Sequence, residues 1–283
     1  MSAMTQTLTA ACVQNCATGD VADNLARLEA LIAEAAAAGA TFIALPEACE
    51  FLSGDREEMR RHARPVAESV AFQRLSRIAA DKGVWLLIGS LTVRDQSDAM
   101  VNRSLLVAPD GSLVAHYDKI HMFDANVPGQ KDSRESDLYE PGKAARMADL
   151  AGIPFGFSIC YDVRFPHLYR SLAKAGAQII GAPAAFTKMT GEAHWHVLLR
   201  ARAIENGCFI VAPGQWGNPY GERQSYGRSL IIDPWGRVLA DAGEGEGIAV
   251  ATLDLDEIAR ARNIIMSLDH DRPFDGPDVG EAG

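Results

Sequence analysis

The sequence predicts an α/β fold of four layers, αββα, in which two mixed sheets pack face to face and helices cover their outer sides. Three observations lead there. Short apolar runs alternate with segments of helical periodicity, the signature of βα units. Two hairpins break that rhythm, one around Pro109-Asp110-Gly111 and one within 230–239, so neither sheet is purely parallel. No G-x-G-x-x-G follows the first strand, which sets aside a simple dinucleotide-binding fold.

The elements follow in order. Residues 8–13 form a short apolar strand. Residues 20–38 have helical spacing, with Leu25, Leu28, Leu31 and Ile32 on one face and Gly39 as the stop. A second strand, 42–45, ends at Pro46. Residues 65–82 read as one helix capped by Gly83, and 84–89 as the third strand. The first hairpin joins 101–107 to 112–117. Then come strand 153–159, helix 166–175, strand 177–182, helix 194–206 and strand 208–212. After the second hairpin, 247–253 is a strand and 254–262 a helix. One domain is expected over 1–268, followed by a polar tail, 269–283, that is frayed or packs on a partner. No internal repeat is visible. The longest irregular segment, 122–143, is of a length that is usually functional or disordered.

Composition narrows the class. The 283 residues are 48% hydrophobic and 23% charged, ordinary globular values that give an ample core. The net charge of -10 argues against nucleic acid and anionic membranes as partners. No apolar run approaches the ~18 residues of a membrane span. The N-terminus lacks the basic and apolar regions of a signal peptide, and the five scattered cysteines point to a reduced, cytoplasmic setting. Cys12 and Cys16 lack the spacing of a zinc site; Cys12 and Cys208 read as core.

Three strand ends carry reactive side chains. Residues 42–45 run into Pro46-Glu47, 113–117 into Asp118-Lys119, and 157–159 into Cys160. Strand ends of α/β sheets are where sites are assembled, and a base, a cation and a thiol are the parts that acyl transfer needs. Glu47 would take the Cys160 proton and later deliver it to a leaving amine. Lys119 would face the developing oxyanion and favour the thiolate. Taken singly, each residue has a plainer reading: a buried structural cysteine, a solvated loop glutamate or lysine. Spacing alone leaves the two readings evenly matched.

The same segments resemble the three signatures of the nitrilase-superfamily carbon–nitrogen hydrolases. They are Ala44-Leu45-Pro46-Glu47, then Tyr117-Asp118-Lys119-Ile120-His121-Met122-Phe123-Asp124, then Ile159-Cys160-Tyr161-Asp162-Val163-Arg164-Phe165-Pro166. The likeness extends from Leu8 to about Met266 and includes Gly191-Glu192-Ala193-His194-Trp195 and Ser225-Tyr226-Gly227-Arg228-Ser229. It implies a catalytic Glu47–Lys119–Cys160 triad and a second glutamate, Glu135, that helps position substrate; a solvated loop acid is the rival reading for Glu135. It also implies an αββα sandwich of the nitrilase type, pairing into a homodimer or higher homo-oligomer, with no metal and no cofactor.

Cys-Tyr-Asp-Val-Arg-Phe-Pro resembles the omega-amidase and deaminated-glutathione-amidase branch, whereas true nitrilases carry Trp-Glu after the cysteine. The resemblance therefore implies hydrolysis of a small-molecule amide through a cysteine thioester. N-carbamoyl amidase or nitrilase activity on the same residues is the alternative, and a non-catalytic scaffold is disfavoured by the intact triad. Tyr161, Arg164, Phe186 and Thr187 are the expected substrate contacts. Arg164 reads either as a guanidinium fork for a distal carboxylate or as half of a structural ion pair, and Phe186 as pocket wall or as core. His194 and His196 lie two apart on a helix and face different sides, which speaks against a metal pair. His196 stands where this branch would carry an acid, and bears on substrate identity.

Overall fold

A computed structural model describes residues 6–126 and 133–277. Six helices are present among them: α1 (Val21–Ala37), α2 (Arg56–His62), α3 (Val70–Lys82), α4 (Pro166–Lys174), α5 (Lys188–Asn206) and α6 (Asp256–Ile264). The first sheet runs Gly247–Asp254, Thr7–Gln14, Phe42–Ala44, Trp85–Arg94, Met100–Val107, Leu113–Asp118, with the short strand Arg64–Pro65 also paired to Trp85–Arg94. The second runs Val238–Asp241, Leu230–Ile232, Phe209–Ala212, Ile179–Gly181, Ile153–Phe157, Met147–Leu150.

The two sheets have the same plan. Each has three parallel strands at its centre, joined through helices. Each continues into two antiparallel strands on one side. A further antiparallel strand closes the other side, Gly247–Asp254 in the first sheet and Met147–Leu150 in the second. The chain therefore repeats its topology without repeating its sequence, which is why no repeat is visible in the residues.

Alternation along the strands builds the layers. Ala10, Cys12, Phe42 and Ala44 point into the space between the sheets, with Phe155, Phe157 and Ile179 opposite. Ala11, Val13, Ile43 and Leu45 point the other way, onto Leu25, Leu28 and Ile32 of α1 and Leu75 of α3. On the far side, Leu168 and Leu172 of α4 and Trp195 and Leu199 of α5 cover the second sheet. Both faces of each sheet are covered, so the central strands read as continuous apolar runs. The sheets meet closely: Phe42 and Phe155 pack edge to face at 5.7 Å. A Cβ on Gly181 would lie 2.6 Å from Phe155 Cζ and 2.9 Å from Leu87 Cδ2.

Three elements differ from the sequence reading. The expected helix over 65–82 begins with a 3-10 turn, Val66–Glu68, and α3 starts afresh where the Ser69 hydroxyl caps the N–H of Phe72. Helix α2 is polar, buries only Met59 and is announced by its cap, Asp55, rather than by periodicity. Helix α5 begins six residues earlier than expected. Gly191, which reads as a breaker, lies within it because the Tyr226 ring leaves no room for a side chain. The long segment 122–143 is also not structureless: Asp124–Ala125 pairs with Ser133–Arg134, and a 3-10 turn, Glu135–Asp137, follows. Of the tail, residues 269–277 are exposed, with Lys174 and Asp271 paired at 2.6 Å; 278–283 lie outside the described residues. No described helix is long and apolar enough to cross a membrane.

The turn after Phe42–Ala44 rests directly on Gly89. A Cβ there would sit inside contact distance of the carbonyl oxygens of Leu45 and Pro46, backbone atoms that cannot swing aside. Gly89→Ala is therefore expected to lower stability by about 2–3 kcal/mol, seen as a lower urea midpoint. An unchanged midpoint would show that this turn is not pinned to the sheet.

Candidate active site

Each of the three reactive side chains leaves a strand at a locally strained or tightly held turn. Ala48, just after Glu47, has φ 50°, a left-handed conformation costly for a residue with a side chain. It is held by Ser90 Oγ, which accepts from its N–H at 2.9 Å, and by Gln215 Nε2, which donates to the carbonyls of Glu47 and Ala48 at 3.0 and 3.1 Å. Lys119 is fixed by its own backbone: its N–H donates to Asn102 O at 2.9 Å and its carbonyl accepts from Gly142 N at 2.7 Å. A side chain on Gly142 would strike Asp118. Cys160 also has φ 50°, and its N–H donates to Pro183 O at 2.8 Å.

These turns converge on one ammonium. Lys119 is 2% exposed. Its Nζ donates to Glu47 Oε1 at 2.8 Å and faces both oxygens of Glu135 at 2.8 Å. Asn102 Nδ2 donates to Glu47 Oε1 at 2.9 Å and to Glu135 Oε1 at 3.3 Å. The N–H of Ala185 donates to Glu47 Oε2 at 2.9 Å, and the N–H of Phe123 to Glu135 Oε2 at 2.6 Å. Among the described residues no group of three or more His, Cys, Asp and Glu is arranged to hold a metal ion.

Charge is distributed unevenly over this cluster. Burial alone would raise the Glu47 carboxyl, but Lys119, the Cys160 thiol and the Ala185 N–H outweigh it and hold Glu47 below the ordinary carboxylate range. Burial likewise opposes the Lys119 charge, and Glu135 and Glu47 override it, so the ammonium is held well above its usual value. Cys160 goes the other way: burial and the Glu47 charge push its thiol well up, and Lys119 only partly offsets them. Lys119 does favour the thiolate, as the sequence reading has it, but burial and the Glu47 charge outweigh that influence on the sulfur.

Asp162 joins the Cys160 turn to the Lys119 turn. It is wholly buried and accepts from Ile159 N at 2.9 Å, Tyr117 Oη at 2.7 Å and His121 N at 3.1 Å. His121 Nδ1 lies 2.6 Å from its Oδ1, and the His121 ring stacks on Phe165 at 3.5 Å. The sequence placed Asp162 in a motif without a role.

A cavity of about 1140 Å³ opens over the cluster, lined by Glu47, Lys119, Glu135 and Cys160 together with Tyr161, Arg164 and Phe186. Thr187 is not among the lining residues. It precedes the first residue of α5, and its hydroxyl is turned to Thr190 Oγ1 at 2.8 Å; Thr190 is the threonine that faces the cavity. The Arg164 guanidinium lies 5.8 Å from the Tyr161 ring and 5.4 Å from the Phe186 ring, and its Nη2 is 3.3 Å from His194 Nδ1. His196 points away, 3.8 Å from Asp241, and does not line the cavity. Asn102, Tyr220 and Arg223 were missed. Only Asn102 left a signal, a polar residue inside an apolar strand.

A thiol, a carboxylate and an ammonium are gathered here from the strand ends of two facing sheets, the parts that acyl transfer needs. Residues 9–263 match the carbon-nitrogen hydrolase family, and the chain belongs to it. It is an amidase by that membership and by its curated relatives. It is 40% identical over 272 residues to a deaminated glutathione amidase of Bos taurus, covering 94% of this chain and 82% of the relative. It is 40% identical over 266 residues to a deaminated glutathione amidase of Synechocystis, covering 92% and 97%. The crystal structure of the C. elegans NitFhit protein superposes with a TM-score of 0.88 at 34% identity, covering 95% of this chain and 66% of that one.

Asp162→Asn removes the charge that four donors share. It should lower stability by about 3 kcal/mol, read from the urea midpoint, because buried donors are left poorly matched. A midpoint within experimental error of the parent would mean that the two turns are held together by packing alone.

Proposed function

We propose that the protein hydrolyses the amide bond of a small carboxylated amide, with deaminated glutathione as the leading candidate, through a thioester on Cys160. The observation that carries this reading is the Lys119 ammonium locked between Glu47 and Glu135 in the same cavity that Cys160 lines. The Cys160 sulfur attacks the amide carbonyl carbon while Glu47 takes the thiol proton. Lys119 and the backbone N–H of Tyr161 meet the oxyanion. Glu47 then passes its proton to the amide nitrogen, the C–N bond breaks and the amine leaves. Water attacks the thioester as Glu47 takes a proton from it; the C–S bond breaks, the acid departs and the thiol is restored. Glu135 holds the ammonium in place throughout.

Arg164 serves as the fork for the carboxylate of the acyl half. Among the described residues it has no acidic partner, and its guanidinium lies against two rings of the cavity wall. That favours the ligand-binding reading over a structural ion pair. The protein acts as a homodimer. Val197 on the outer face of α5 is 67% exposed, and the half-exposed Ile204 adjoins the turn of half-exposed Trp235. A second copy would cover this apolar surface. Five unpaired cysteines, four of them buried, fit a reducing, cytoplasmic setting.

The test is turnover of deaminated glutathione, 2-oxoglutaramate, succinamate and a matched nitrile. Cys160→Ala should lower amide hydrolysis by at least about 10³-fold while leaving the circular dichroism spectrum unchanged. Because Glu47 is held below the ordinary carboxylate range, it stays anionic as pH falls through that range. The acid limb of kcat/KM should therefore lie below it. Turnover retained in Cys160→Ala, or an acid limb near neutrality, would overturn the scheme.

A further inference from the structure

The cavity exceeds what a primary amide of a small dicarboxylate needs. At about 1140 Å³ it reaches past the ~300–1,000 Å³ typical of pockets for drug-sized ligands. Arg56 opens on it but is paired with Asp137 at 3.0 Å, and Arg134 is exposed at the rim. Two half-buried guanidiniums remain without an acidic partner among the described residues, Arg164 and Arg223. Of the acids on the same wall outside the reactive cluster, Asp55 is engaged as the cap of α2, and Glu222 is exposed and makes no ion pair with either arginine. In a chain of net charge -10, two such cations in one cavity call for anionic ligand groups.

Their positions differ in a way that chemistry can use. Arg164 belongs to the Cys160 turn and rests on Phe186. Arg223 is tied to the residue that holds Glu47: its Nη2 donates to Ala185 O at 2.8 Å, while Ala185 N donates to Glu47 Oε2 at 2.9 Å. Its guanidinium lies 5.8 Å from the Tyr220 ring, and its buried Nε has no partner in the protein. In the proposed reaction the leaving nitrogen takes its proton from Glu47, so the departing amine passes on the Glu47 side, toward Arg223.

We propose that Arg223 binds a carboxylate on the amine half of the substrate. This rests on the amidase scheme above and deepens it. Deaminated glutathione, the candidate named above, carries an anionic group at each end; what is assigned here is the residue that reads the leaving-side one. Arg164 takes the acyl-side carboxylate and Arg223 the leaving-side one.

The experiment compares kcat/KM for deaminated glutathione, the same compound with its glycine carboxylate methyl-esterified, and 2-oxoglutaramate. The wild-type enzyme should prefer the free acid over the ester by about 10–100-fold, the range of a charge-assisted hydrogen-bonded pair. Arg223→Gln should collapse that ratio toward one, mainly through KM, and Arg223→Lys should keep part of it. Arg164→Gln should lower both substrates together and preserve the ratio. A wild-type ratio near one, or a ratio that Arg223→Gln leaves intact, overturns the inference while the amidase scheme stands. If the wild-type enzyme cleaves none of the three, the scheme fails and the inference with it.

Discussion

A buried ammonium between two carboxylates is the constraint on which the rest of this structure depends. Lys119 is almost wholly buried, and an unpaired charge in such a place would cost several kcal/mol. Glu47 and Glu135 satisfy it, and their remaining oxygen sites are satisfied in turn by Asn102, Ala185 N–H and Phe123 N–H. These groups come from both halves of the sandwich. Glu47, Asn102 and Lys119 issue from the first sheet, Ala185 and Cys160 from the ends of strands in the second. The cluster therefore stitches the sheets together where the apolar layer between them stops. The glycines and strained turns around it follow from the same demand, since the backbone must come close enough for several short polar contacts at once.

That arrangement also decides how the cysteine is activated. A lysine nearby suggests a lowered thiol pKa, and the sequence reading took it so. The structure spends the Lys119 charge on two carboxylates, and the net charge of Glu47, Lys119 and Glu135 is negative. A thiolate beside such a set is disfavoured, whereas a thiol beside a carboxylate held below its ordinary range is stable. In the proposed scheme, proton transfer and carbon–sulfur bond formation then belong to a single event that occurs only when a carbonyl is in place. Such a site also limits reaction of the cysteine with adventitious electrophiles.

Much of this was legible in the residues, because apolar runs ending in Glu47, Lys119 and Cys160 follow from strand burial and are visible without a fold. The layering was legible too, since two hairpins among βα units exclude a wholly parallel sheet. What stayed hidden depends on contacts between distant segments. Asn102 sits 55 residues from Glu47, and nothing local shows that its amide spans two carboxylates. Asp162 gains its meaning only when Tyr117 and His121 fold against it. Thr187 and Thr190 lie three apart, and which one faces the cavity depends on where α5 begins. Arg223 lies in a loop of unremarkable composition, and only its tie to Ala185 links it to the reactive cluster.

The account is tested most directly by the ionisation of Cys160 itself. Ultraviolet thiolate absorbance can be titrated in the wild-type protein and in Cys160→Ser, the difference isolating this thiol from the other four. The structure calls for no thiolate signal at neutral pH and a rise only well above the ordinary thiol range. In Glu47→Gln, where the neighbouring negative charge is gone, the rise should move to lower pH. A Cys160 thiolate already present at neutral pH, or a titration indifferent to Glu47, would contradict it.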